Sequence, residues 1–222
     1  MELNWEFFWP QFLQATQDTF LTVLGSFIFG TIIGLPLGII LVVTRPGHIM
    51  ENKPLFTLLN TIINIVRSVP FIILLVAIIP FTRLLTGTSI GVVAAIVPLS
   101  IFVGPYLARL IENSMLEVDK GVLETAYSMG ATKFQIIVKF ILPEAIPSLI
   151  LSFTTATIGL IGSTAAAGAV GAGGLGDLAI TYGYQRFETL VIVITVVLLV
   201  VIVQLIQSLG NTWSRYVRRK RG

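Results

Sequence analysis

TLVIVITVVLLVVIVQLIQSLGNTWS, residues 189–214, runs for 26 positions without a charged side chain. A helix needs about 20 apolar residues to cross the hydrocarbon of a bilayer, so this stretch predicts a transmembrane span. Three more charge-free runs lie upstream: Thr19 to Thr44 (26 residues), Leu84 to Ala108 (25) and Ala145 to Gly176 (32). A fifth, Leu55 to Phe81, is equally apolar but carries Arg67. Continuous aliphatic runs, rather than short alternating ones, exclude a barrel and leave helices as the spanning element. The expected fold is all-α, a polytopic membrane protein with five transmembrane helices.

Composition agrees. Of 222 residues 55% are hydrophobic and 11% charged, with a mean hydropathy of +0.93; soluble domains carry about 25% charge. The chain has no cysteine, which excludes a disulfide scaffold, a thiolate metal site and a cysteine nucleophile. Its one histidine, His48, sits in the turn Pro46-Gly47-His48 without companion ligands, so it reads as a surface residue and no metal site is expected.

Positive charge sets the expected orientation. Residues 1–18 hold Glu2, Glu6 and Asp18 but no Lys or Arg, whereas Arg215, Arg218, Arg219, Lys220 and Arg221 crowd the last eight residues. The N-terminus is expected outside and the C-terminus in the cytoplasm. Arg45, Lys53, Arg109, Lys120, Lys133 and Lys139 then fall inside, with only Arg83 and Arg186 outside. The first apolar run is too long, and its flank too acidic, for a cleaved signal. The expected organisation is an outer segment 1–18, a transmembrane domain 19–213 containing a polar cytoplasmic loop 109–143, and a basic tail 214–222 beside anionic lipid. That position after a span disfavours nucleic acid as the partner of the tail.

Within the polar loop, Val122 to Met129 has helical spacing and Gly130 supplies a stop. A second helix from Ala131 places Phe134, Ile137, Val138 and Ile141 on one apolar face, and Pro143 fits the first turn of the next span. From composition alone this could be a solvated loop helix. Asn60, Asn64, Arg67 and Ser68 recur at helical spacing as a polar stripe on a Leu- and Ile-rich helix, with a kink expected at Pro70. Arg67 either faces a water-filled path or only stabilises packing by pairing with carbonyls freed at the kink. Gln204, Gln207 and Asn211 form a weaker stripe on the last span.

Residues 171–176, GAGGLG, match the dinucleotide fingerprint in letters, but no strand precedes them and no Gly-Lys-Ser/Thr follows. With Ser163 to Gly168 they read as a small-residue surface on which helices pack closely, naming Ser163, Gly168, Gly171 and Gly173 as packing or path candidates.

Glu124-Thr125-Ala126, three residues, Gly130, eleven residues, then Leu142-Pro143 resembles the EAA loop of ABC importer permeases, with Thr125 in place of the second Ala and Phe140 where Ile is commoner. Thr44-Arg45-Pro46-Gly47, residues 64–75 (NIVRSVPFIILL), residues 79–83 (IPFTR), residues 87–91 (GTSIG) and residues 168–176 are similar to the methionine importer permeases in particular. The resemblance implies a bacterial inner-membrane permease subunit that is not itself an enzyme. Its path would lie at a homodimer interface, and two copies of an ABC ATPase, which bind the ATP and Mg, would dock on a coupling helix containing Glu124, Thr125, Ala126, Gly130, Ala131, Leu142 and Pro143. A periplasmic methionine-binding protein would deliver substrate. The competing class is a self-sufficient carrier or channel. A proton-coupled carrier is expected to place carboxylates inside the bilayer, whereas all eleven acids are expected in loops or at span ends.

Overall fold

The computed structural model describes residues 5–220. Glu2 and Arg221, both counted in the charge asymmetry, lie outside the described residues. The described chain is helical and its elements follow in the order α1 (Trp5–Thr44), α2 (Lys53–Ser68), α3 (Phe71–Ala77), α4 (Ile79–Thr86), α5 (Val92–Leu116), α6 (Lys120–Ser128), α7 (Lys133–Gln135), α8 (Leu142–Gly168), α9 (Gly174–Leu178) and α10 (Thr189–Arg219). Two π-helical segments, Ile136–Ile141 and Ala179–Tyr184, join α7 to α8 and extend α9.

Among the described residues four helices are long and apolar enough to cross a membrane: α1, α5, the continuous stretch Lys133–Gly168, and α10. A fifth span exists only if α2 and α3 are taken together as one bent pair. Pro70 is the reason, since it cannot donate to the carbonyl of Val66 and its own ψ of 134° is extended. A second break at Ile78 makes the 55–81 run three helices rather than one.

The expected boundaries also move. The first helix begins at Trp5, so most of the segment 1–18 is helical, with Gln14 donating to Asp18 one turn on (3.0 Å). The third span runs Val92–Leu116 instead of Leu84 to Ala108, carrying residues 109–116 of the supposed loop as helix. Its successor ends at Gly168, eight residues before the charge-free run does. The last helix continues through the basic tail to Arg219.

Contacts group the chain into two compact units. The first comprises residues 1–30, 69–103 and 157–206. Its core joins Phe8, Phe12 and Ala15 of α1 to Leu175 and Leu178 of α9 and Val191 of α10, and the N–H of Leu175 donates to the Thr19 hydroxyl (2.9 Å). The second comprises residues 31–68, 104–156 and 207–222. Here Leu41 of α1, Ile63 of α2 and Ala108 of α5 form one core cluster. In the same unit Ser214 of α10 donates to the carbonyl of Pro147 in α8 (2.8 Å).

Candidate functional site

All the elements of the Glu124 segment lie in the second unit. The Asp119 carboxylate caps α6 by accepting from the Gly121 N–H (2.7 Å). At its other end the Gly130 N–H donates to the Tyr127 carbonyl (3.0 Å) and the Ala131 N–H to the Ala126 carbonyl (3.1 Å). Those two bonds form a Schellman motif, which requires the left-handed φ of +70° found at Gly130. Thr132 then caps the next helix in a reciprocal box with Gln135. The two caps at its ends make α6 a short rod with defined limits, and the Thr132 box starts the next helix two residues beyond Gly130.

Ala126 is fully buried, and α6 packs on the 136–141 segment; Glu124 and Thr125 point outward. Leu142 and Pro143 open α8, half-buried. Pro143 has no N–H to offer the carbonyl of Lys139, and the turn before it is widened so that the Leu142 N–H reaches Ile137 instead. That widening rotates the expected apolar face. Ile136 and Ile141 are buried, whereas Phe134 (73% exposed) and Val138 face out, contrary to the sequence expectation. With Tyr127 and Met129 (71% exposed) they make an outward apolar surface around Glu124 that hydrophobic spacing did not reveal. A polar cavity of about 470 Å³ borders the cap, lined by Glu117, Asp119, Glu144, Ser148 and Arg218.

The expected stripe on α2 is divided. Asn60 and Asn64 accept from one guanidinium nitrogen of Arg109 on α5, at 2.6 and 2.9 Å. The Arg67 guanidinium lies over the Tyr106 ring, 5.9 Å from its centroid, rather than on carbonyls freed at Pro70. Ser68 turns back onto the Asn64 carbonyl (2.7 Å). Glu112, expected in a cytoplasmic loop, is fully buried within α5 and paired with Arg109 and Arg45. Glu112 joins Asp18 in α1 and Glu144 in the 133–168 stretch as acids within helices long enough to span a membrane, which corrects the expectation that every acid lies in a loop or at a span end.

In the first unit the small residues pack tightly. A Cβ on Gly176 would fall 2.3 Å from the Ala165 Cα, and one on Gly168 would fall 2.4 Å from the Asp177 backbone N. Gly171 and Gly173 lie in the intervening turn, and Ser163 bonds back to the Gly159 carbonyl (3.0 Å). Gln207 donates to Asn211 (3.1 Å) along α10, within that helix. His48 is half-buried with Nδ1 unpartnered. Among the described residues no three His, Asp or Glu side chains converge as metal ligands.

A family profile described as "Binding-protein-dependent transport system inner membrane component" matches residues 30–216, which include α5 to α9 complete. The chain belongs to this family. As a binding-protein-dependent inner membrane component it is a transport subunit and not an enzyme. It is 50% identical over 149 residues to the D-methionine transport system permease protein MetI of Salmonella typhi, covering 67% of this chain and 69% of that one. With the probable MetI of Vibrio cholerae serotype O1 it shares 49% over 205 residues, 92% of this chain and 91% of the other. Among solved structures, the inward-facing MetNI methionine ABC transporter matches with a TM-score of 0.93 at 45% identity, over 98% of this chain and 99% of that one. An amino acid ABC transporter at 20% identity, with a TM-score of 0.79 over 97% of this chain, shares the fold.

Proposed function

We propose that this binding-protein-dependent component is the permease of an ATP-driven methionine importer in a bacterial inner membrane. Two copies would pair around the path, two ATPase subunits would bind ATP and Mg, and a periplasmic methionine-binding protein would supply substrate. The observation that carries this is the near-complete superposition on the methionine transporter at 45% identity.

Coupling runs through α6. Its caps make it rigid, so ATPase closure would displace it as a body and pull α5, three residues upstream, and α8, entered through the π segment. Glu124 would meet a cation of the ATPase, with Tyr127, Met129 and Phe134 supplying apolar contact. Thr125 and Ala126 set the helix, Gly130 and Ala131 its stop, and Leu142 and Pro143 the entry to α8. We further propose that Asn60, Asn64, Arg67 and Ser68, with the break at Pro70, border the path, and that Ser163, Gly168, Gly171 and Gly173 serve close packing.

The test is reconstitution of the chain with its ATPase in liposomes, with and without a methionine-binding protein, measuring methionine uptake and ATP hydrolysis together. Uptake should require ATP, the ATPase and the binding protein. Glu124→Ala should insert normally and lose co-purification or stimulated hydrolysis. Uptake by the lone chain without ATP would instead establish a self-sufficient carrier.

A further inference from the structure

Arg109 uses the two arms of its guanidinium in two directions. One terminal nitrogen meets Glu112 Oε2 at 2.5 Å, and the other meets the Oδ1 atoms of Asn60 and Asn64 at 2.6 and 2.9 Å. Glu112 Oε1 in turn accepts from Arg45, just past the end of α1, at 3.4 Å. Three helices of one unit are thus joined through a carboxylate that is itself fully buried.

The two ends of this network differ. Arg109 is largely buried, its side chain 19% exposed, and its contacts are short; Arg45 is 46% exposed and its contact is long. A short contact from a largely buried guanidinium holds position, and a long one from a half-solvated guanidinium is easily released. The firm end therefore ties α5 to α2, and the loose end lets the turn after α1 separate. Below Glu112, α5 continues one turn to Leu116 and reaches Asp119, the cap of α6, after two intervening residues. On its other side α5 is held to α8 by Ser114 and Ser152 (2.7 Å) and by Ser148 donating to Glu117 (2.5 Å).

We propose that Arg109, oriented by Glu112, is the positioning residue that transmits displacement of the α6 coupling helix along α5 to α2, the helix carrying Arg67. This rests on the importer function proposed above. Apolar packing of Leu41, Ile63 and Ala108 keeps these helices together but lets them slide; one guanidinium nitrogen donating to two amides a helical turn apart fixes the register in which they move. The planar guanidinium places its two terminal nitrogens in fixed directions, one on the carboxylate and one on the two amides, a spread that the single nitrogen of an ammonium does not reproduce.

The experiment uses the complete complex in liposomes with the binding protein, and reads methionine uptake per ATP hydrolysed. A pair of spin labels on α2 and α6 reports the nucleotide-dependent distance change. Wild type must couple, which tests the importer function independently of the relay. Arg109→Lys keeps the charge beside Glu112 and should assemble normally, yet lose the amide arm. Asn60→Ala/Asn64→Ala loses the same arm without disturbing the buried ion pair. Arg109→Lys should hydrolyse ATP at near wild-type rates while uptake per ATP falls at least fivefold, and in both variants the label distance should no longer respond to nucleotide. Glu112→Gln should show the same uncoupling, which a role of Asn60 and Asn64 in lining the path would not produce, because Glu112 has no exposed surface. Wild-type coupling ratios and distance changes in Arg109→Lys and in the double Asn variant would overturn the relay, as would activity falling only in proportion to assembled complex.

Discussion

Gly176 of α9 lies against Ala165 of α8 so closely that a Cβ would stand 2.3 Å from the Ala165 Cα and 2.7 Å from its carbonyl oxygen. Both obstacles are backbone, which cannot swing aside as a side-chain tip would. Gly176→Ala should therefore destabilise by about 1–3 kcal/mol through overpacking. Gly162→Ala, on the same helix as Ala165 with open space around its Cβ, should be neutral or raise stability by up to about 1 kcal/mol. Thermal unfolding of the two variants in one detergent checks the contrast.

Gly130 presents the opposite case, since nothing lies within 4 Å of its would-be Cβ and only its φ of +70° is special. Gly130→Ala should cost about 1–2 kcal/mol in local backbone strain, and Gly130→Asn less, because Asn visits this region more readily. Membrane insertion should be unchanged for both. Co-purification with the ATPase should fall in the order Gly, Asn, Ala, Val at this position.

Arg67 over Tyr106 tests whether a cation in a spanning segment is there for packing. At 5.9 Å the contact is at the outer edge of a cation–π interaction, which contributes about 0.5–1 kcal/mol where exposed. Arg67→Leu should leave unfolding temperature and expression nearly unaltered and lower uptake. A large loss of stability with normal uptake per assembled complex would assign Arg67 to packing alone.

The turn at residues 45–52 should loosen in acid in two steps. Burial, and then the Arg45 charge, hold the His48 imidazole below its ordinary value of 6.5. The Gly47 N–H, donating to Glu51 at 2.9 Å, holds that carboxyl below 4.5, with Lys53 adding to the effect. Both shifts are downward, so each contribution to stability is complete above the ordinary value and is lost as pH falls through the lower, folded value. Protection of the Met50 and Asn52 amides, which bond to Val43 and Thr44, should be flat above pH 6.5 and then fall in two stages. His48→Gln should remove the upper stage and Glu51→Gln the lower.

Long apolar runs made the spanning helices legible, because burial in lipid leaves no local alternative for the backbone. Their ends were not legible. The 109–116 segment read as loop since Arg109 and Glu112 are charged, and the partners that allow them inside, Asn60, Asn64 and Arg45, stand 45 to 67 positions away. The Gly130 stop was readable because it is local, whereas the apolar face after it was misassigned because one wide turn breaks the 3.6-residue count. Glu124 was proposed from its spacing to Gly130 and Pro143, while the outward Met129 and Phe134 left no mark in the hydrophobic spacing.

The wide turn at 136–141 also acts as a ruler. Each residue of an α-helix advances the chain by about 100° and 1.5 Å. The wide turn already takes up one residue beyond the α-helical count, so inserting another between Gly130 and Leu142 would swing everything before it by about that angle relative to α8. Glu124, Tyr127 and Phe134 would then face a different direction with every local helix intact. The eleven-residue interval accordingly has a longest permitted length, set by the one turn that can widen.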